Sequence, residues 1–132
     1  MIGVDTSTWI AFLQGEQGED TELLDRLLAD RQVLMVPVVL TELLSDPKLL
    51  PQVSETLSEV PLAGVRPGYW QRAGELRARV LAKRHKARLG DALIAQSCID
   101  HGIALLTRDR DFRMFASATG LNLLIVPGAT LS

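Results

Sequence analysis

The sequence predicts an α/β domain in three layers, with a mostly parallel central sheet of about five strands covered by helices on both faces. Three observations predict it. Short apolar runs, Ile2–Val4, Val33–Val36, Val60–Leu62, Ile103–Leu106 and Leu121–Val126, recur along the chain. Between them lie stretches whose apolar residues fall three and four apart, the period of a helix. Strands alternating with helices build a parallel sheet whose two faces both need cover.

Each element follows from its residues. Ile2–Val4 is a short strand that ends at Asp5, Thr6 and Ser7, residue types that cap helices. Trp9, Ile10, Phe12 and Leu13 then fall at helical spacing, and Gly15 and Gly18 end that helix. The next helix runs from about Asp20 to Asp30, with Leu23, Leu24, Leu27 and Leu28 as its stripe. Val33–Val36 is the second strand. Pro37 opens a helix to about Ser45, since its missing N–H costs nothing in the first turn. A short helix over Val53–Ser58 leads to the brief strand Val60–Leu62. Pro67 and Gly68 open a long helix to about Lys86, with Trp70, Ala73, Leu76, Val80 and Leu81 inward and Gly90 as its breaker. Asp91–His101 is a helix closed by Gly102, in the position favoured after a helix end. Strand Ile103–Leu106, helix Asp109–Thr119 closed by Gly120, and strand Leu121–Val126 complete the pattern.

The chain of 132 residues is expected to be one domain, residues 1–132, with 127–132 as a loose C-terminal tail. A domain of this size buries about two-thirds of its unfolded surface, so it folds without a disulfide or structural metal. Composition is globular, with 47% hydrophobic and 23% charged residues, and nothing reads as disordered. Cys98 is the lone cysteine, which excludes an intrachain disulfide and fits a reducing compartment. The opening MIGVDTS has no signal-peptide pattern, and no run approaches the ~18 apolar residues of a membrane span. A cytoplasmic location with no membrane partner is expected. A net charge of −2 argues against a general nucleic-acid coat protein but is compatible with a carboxylate-rich metal site.

The acids carry the chemistry. Asp5 and Asp109 each fall just past the end of an expected strand, and open parallel sheets bind ligands beyond that edge. Glu42 shares a helix face with Val38 and Val39, and Asp91 with Ile94, Ala95 and Cys98. Both are therefore expected to point inward, where an unpaired charge is costly. At ~4 Å and an effective dielectric of ~20, each close pair of carboxylates costs roughly 4 kcal/mol. Divalent cations remove that cost, and an all-oxygen set selects Mg²⁺ or Mn²⁺. No His or Cys grouping has zinc spacing. Taken singly, Asp5, Asp91 and Asp109 also suit helix caps, and Glu42 a surface acid. The set and its contexts distinguish the two readings.

Those contexts resemble a known family. IGVDTSTWI, VPVVLTELL, RLGDALIAQS and ALLTRDRDFRMF are similar, in order, to the four acidic motifs of PIN domains. The likeness spans Ile2 to Val126 and is strongest to the compact bacterial ribonucleases that are the VapC-type toxins of VapBC toxin–antitoxin pairs. It implies a PIN-like fold and Mg²⁺-dependent hydrolysis of single-stranded RNA, with Mn²⁺ as substitute, leaving a 5′-phosphate and a 3′-hydroxyl. It also implies a homodimer held inactive by a VapB-type antitoxin. Residue by residue, Asp5, Glu42, Asp91 and Asp109 match the catalytic, metal-holding quartet. Ser7 matches a hydroxyl near the metal and Thr107 one that supports the fourth motif. Asp111 is an alternate acid in TRDRDF, with Asp109 preferred by its spacing from Thr107.

Arg84, Lys86 and Arg88 end a basic run beside the third motif and are candidates for contacting an RNA backbone. The same run also reads as a solvated helix end, where cations suit the dipole. His85 reads as solvated, His101 as a helix-end residue, Cys98 as packing, and Trp9, Phe12 and Trp70 as core. The leading function is thus a toxin-type endoribonuclease. Alternatives are a PIN nuclease of RNA maturation and a non-catalytic interaction module. A receiver-like phosphoacceptor would need a second acid after the first strand, where Thr6 and Ser7 stand.

Overall fold

The structure is a computed structural model that describes residues 1–125; the expected strand end at Val126 and the tail 127–132 lie outside the described residues. Strand β1 (Ile2–Val4) leads through α1 (Thr6–Leu13) and α2 (Glu19–Ala29) to β2 (Val33–Leu34). Helices α3 (Pro37–Leu44), α4 (Pro51–Glu59), α5 (Tyr69–Ala82) and α6 (Leu89–Asp100) then precede β3 (Ala104–Thr107). Helix α7 (Phe112–Ala118) and β4 (Leu123–Ile125) follow. The four strands are parallel in the order β2-β1-β3-β4, giving the expected three-layer α/β/α architecture. The chain leaves β1 toward β2 and leaves β3 in the opposite direction, so the topological switch point lies between β1 and β3. Ligands of open parallel sheets bind at such points, beyond the C-terminal strand ends.

The core explains the order of elements. Val4, Leu105 and Leu106 on the two central strands have no exposure. They pack with Leu24, Val36, Val39, Leu76, Ile94, Phe112 and Phe115. Helix α6 approaches β1 so closely that a Cβ on Gly3 would stand 2.8 Å from Cys98 Sγ. A side chain there would overfill the sheet–helix contact, so the position suits only glycine.

Four expectations are corrected. The brief strand at Val60–Leu62 shrinks to one parallel bridge, Met35 with Leu62, so the described sheet has four strands rather than five. Pro61 at its centre has no N–H to extend the ladder. On α5, Tyr69, Ala73, Leu76 and Val80 form the buried stripe, while Trp70 and Leu81 are 63% and 45% exposed. Each of those two sits one residue, about 100°, round from the inward row. Gly90 does not break the long helix but lies inside the first turn of α6; the break comes at Lys83–Arg88, with Arg84 in the left-handed region at φ 62°. Helix α7 begins at Phe112 rather than Asp109, because a turn occupies the intervening residues.

Candidate metal centre

Asp5 continues β1 past its last paired residue, and its N–H donates to the carbonyl of Leu106 on β3 (2.9 Å). It occupies the N-cap position of α1, yet its carboxylate makes no capping hydrogen bond. Instead Oδ2 accepts from Ser7 Oγ (2.6 Å) and Thr107 Oγ1 (2.9 Å). The residue is only 4% exposed. Burial raises its carboxyl pKa above the usual value and Asp109 adds to the rise, against the opposing Ser7 and Thr107 hydrogen bonds. Neutral hydroxyls thus orient this anion without cancelling its charge.

The same Thr107 hydroxyl accepts the N–H of Asp109 (2.9 Å). Asp109 Oδ1 in turn accepts the N–H of Asp111 (2.9 Å), an Asx turn that carries the chain from β3 toward α7. Asp109 is half-buried and Asp111 exposed. Thr107 therefore ties two acids from neighbouring strands into one hydrogen-bonded unit.

Asp91 stands in the first turn of α6, half-buried above Ala92, Ile94 and Ala95. Its carboxyl is pushed up to about 7, first by burial, then by the charges of Asp5 and Asp109; Arg88 opposes and Glu42 reinforces. Asp91 thus feels all three of the other sequence-predicted acids.

Glu42 corrects the expected inward orientation. On α3 it is Val39 and Leu43 that are buried, and Glu42 is exposed at the rim. Its Oε1 accepts from Thr6 Oγ1 (2.7 Å), and its Oε2 lies 4.0 Å from where a Cβ of Gly90 would be. Glu42 therefore bridges the start of α1 and the first turn of α6. Thr6 was legible only as a capping type; its partner is 36 residues away.

These residues fit a hard divalent cation by donor chemistry. The set is all oxygen, with negative charge that Arg88 offsets only in part, and no competing soft ligand. It is not a finished cage: among the described residues no three His, Cys, Asp or Glu side chains are grouped as ion ligands.

The PIN domain pattern matches residues 2–117. The chain belongs to the PIN domain family. Solved structures share its fold. A chain of VapBC2 from Rickettsia felis, bound to a promoter DNA fragment, superposes with TM-score 0.73 at 23% identity, covering 96% of this chain and 99% of that one. The DNA-bound VapBC of Salmonella typhimurium gives 0.72 at 19% identity, with 95% and 98% coverage. VapBC-5 of Mycobacterium tuberculosis gives 0.68 at 19%, again with 95% and 98% coverage. At such identities the likeness is one of fold.

Around this PIN domain's acids, Arg88 precedes α6 and is near enough to lower the Asp91 carboxyl, while Arg84 and Lys86 stand exposed in the same α5–α6 connection. His101 is engaged outside the site: its Nε2 lies 2.8 Å from the carbonyl of Gly64. Cys98 is fully buried, and burial pushes its thiol up to about 12. Among the described residues, no helix is long and apolar enough to cross a membrane.

One group near the site was not foreseen. Asp20, read from sequence as a helix start, has a fully buried side chain paired with Arg108, 88 residues away. Arg108 Nε donates to Asp20 Oδ2 and Nη2 to Oδ1, both at 2.8 Å. Thr8 Oγ1 adds a third donor at 3.0 Å. Burial alone would raise the Asp20 carboxyl, but the Arg108 and Thr8 hydrogen bonds outweigh it and hold the pKa below its usual value.

Proposed function

We propose that this PIN domain is a Mg²⁺-dependent endoribonuclease, with Mn²⁺ able to substitute, and the toxin half of a type II toxin–antitoxin pair. The observation that carries the reading is the meeting of acids beyond the ends of β1 and β3: Thr107 links the Asp5 carboxylate to the Asp109 backbone, and Asp91, close enough to feel Asp5, Asp109 and Glu42, has its carboxyl pushed up to about 7. Such a group is poised to exchange its proton for a cation. Asp5, Glu42, Asp91 and Asp109 would hold the metal. A bound divalent cation would supply Lewis-acid polarisation of the scissile phosphate and lower the pKa of a water there.

The chain's own residues do the rest. Ser7 and Thr107 occupy Oδ2 of Asp5 and so direct its other oxygen. Thr6 holds Glu42 toward α6. Asp111 supports Asp109 through its N–H rather than its carboxylate. Arg88 is near enough to lower the Asp91 carboxyl, and Lys86 and Arg84 are exposed in the same connection, cations of the kind that contact a phosphate backbone.

Residues 1–132 act here as one PIN domain in the cytoplasm, where RNA is available. A surface groove supports the reading of an antitoxin partner. Ile10, Leu13, Leu43, Leu49 and Leu50 line a groove of about 400 Å³ whose rim includes Glu42. An apolar groove of that kind accepts one face of an amphipathic helix. Trp70 and Leu81, exposed on α5, offer an apolar face for a second copy in a homodimer.

The test is cleavage of end-labelled single-stranded RNA by the purified chain. Cutting is expected with Mg²⁺ or Mn²⁺, to be lost in excess chelator, and to be nearly abolished in Asp5→Asn, Glu42→Gln, Asp91→Asn and Asp109→Asn. Undiminished cutting in chelator would remove the metal, and full activity in any one variant would remove that residue. Co-purification with the product of a neighbouring small reading frame tests the antitoxin.

A further inference from the structure

We infer that the ion pair between buried Asp20 and half-buried Arg108 is the positioning device of Asp109, holding the β3–α7 connection so that this acid reaches the metal centre. The inference rests on the metal-nuclease reading above. Arg108 lies between Thr107, which hydrogen-bonds Asp5, and Asp109. Its backbone therefore belongs to the connection that aims Asp109. Its side chain leaves the acidic cluster and runs to the start of α2, where both oxygens of Asp20 take its fork at 2.8 Å. A two-point guanidinium–carboxylate contact fixes direction as well as distance.

The receiving end is built to stay still. Asp20 has no exposure, and Thr8 of α1 donates to its Oδ2 at 3.0 Å. Gly18 closes the arrangement: a Cβ there would stand 2.7 Å from Asp20 Oδ1 and 3.2 Å from Arg108 Nη2. No side chain fits at residue 18 without displacing the pair. Thr21 Oγ1 pins the same turn, donating to the carbonyls of Glu16 (3.0 Å) and Gly18 (2.9 Å). The start of α2, with Thr8 of α1, thus bears on the β3–α7 connection through this pair, beside the separate link from Asp5 through Thr107. Surface ion pairs hold little, but a buried one with satisfied oxygens is rigid, and loss of one partner strands the other. Arg108 itself touches none of the four acids through the contacts described, so its role is exerted through Asp109.

The experiment measures Mn²⁺ affinity by electron paramagnetic resonance, alongside RNA cleavage at saturating metal. Arg108→Lys keeps the charge and loses the fork. Asp20→Asn/Arg108→Gln removes both charges and leaves no buried ion stranded. Gly18→Ala disturbs the pair without touching either partner. All three are expected to weaken Mn²⁺ binding at least fivefold and to lower kcat, with KM for RNA within twofold of wild type. Melting temperature and circular dichroism establish which variants are folded, and the folded ones decide. Folded variants with Mn²⁺ affinity and kcat within twofold of wild type would overturn the inference and leave the pair as a fold staple. Asp109→Asn serves as reference. If it weakens Mn²⁺ and the ion-pair variants do not, the positioning role alone fails. If wild type binds no Mn²⁺, the metal-nuclease reading fails and this inference with it.

Discussion

Replacing Asp91 by Asn should stabilise the metal-free protein at pH 8 while destroying its activity. The carboxyl rises from 3.8 to about 7, roughly three units, through burial and then the charges of Asp5 and Asp109. At about 1.36 kcal/mol per unit the ceiling is ~4 kcal/mol. Asp91 is only half-buried, so water screens part of this and about 2 kcal/mol is a fair size. One effect runs the other way. Asp91 lies in the first turn of α6, where a negative charge gains ~0.5 kcal/mol from the helix dipole. The net gain of the amide is then ~1.5 kcal/mol, or a rise in melting temperature of about 5 °C for a domain of this size.

The sign with pH follows from the direction of the shift. As pH falls through 3.8, Asp91 becomes protonated in the unfolded chain as well as in the folded one, so the penalty fades away. Between pH 4 and about 7 the unfolded chain has released a proton that the fold retains, and the penalty grows. Above pH 7 it is complete. Melting curves of wild type and Asp91→Asn should therefore coincide near pH 4 and separate by pH 8. Mn²⁺ at a hundred times its dissociation constant should add ~2.7 kcal/mol to wild type alone and reverse the order. An amide variant that melts lower than wild type at pH 8, or a gap that ignores pH, would refute the crowding argument and return Asp91 to the role of a helix-start residue.

Three further outcomes are expected. Thr107→Val deprives Asp5 of a donor and the Asp109 N–H of its acceptor, and RNA cleavage should fall ~10–100-fold; rates equal to wild type in a single-turnover assay would deny Thr107 that role. Gly3→Ala places a Cβ 2.8 Å from Cys98 Sγ and should cost ~1–3 kcal/mol in urea unfolding. A cycle with Cys98→Ala should show coupling of at least ~1 kcal/mol, and strict additivity would locate the strain elsewhere. Cys98, buried with its thiol pushed up to about 12, should resist iodoacetamide at pH 8 until the protein is denatured; rapid labelling of the native chain would contradict its burial.

The fold was legible where local pattern and burial agree. Ile2–Val4 and Ile103–Leu106 read as strands because continuous apolar runs suit a sheet covered on both faces, and the structure has β1 at Ile2–Val4 and β3 at Ala104–Thr107. Boundaries drifted where a turn competes with a helix, as at Asp109–Asp111, whose Asx hydrogen bond delays α7. On α5 the expected inward row holds for Ala73, Leu76 and Val80, whereas Trp70 and Leu81 lie off the buried stripe and Tyr69 takes the place expected for Trp70. Glu42 shows the same limit in reverse. Its neighbours Val38 and Val39 suggested the interior, whereas one step of helix rotation leaves it at the rim with Thr6. Asp20 was out of reach entirely: its partner is 88 residues distant, and no local pattern announces a pairing across the fold.

The choice of partners explains why the site keeps its charge. A cation inside TRDRDF could have neutralised the cluster, since Arg108 adjoins Asp109. The fork of Arg108 is instead committed to Asp20, with Glu16 also at 4.0 Å, and away from Asp5, Glu42, Asp91 and Asp109. Two of the four acids are held by hydroxyls, Asp5 by Ser7 and Thr107 and Glu42 by Thr6, and Asp109 accepts a backbone N–H. A hydroxyl fixes the direction of a carboxylate without bringing a positive charge to it. An arginine in the same place would have satisfied the acid and lowered its affinity for any other cation. Direction without neutralisation is what a cation site requires, and removing a hydroxyl should therefore weaken metal binding more than it weakens the fold.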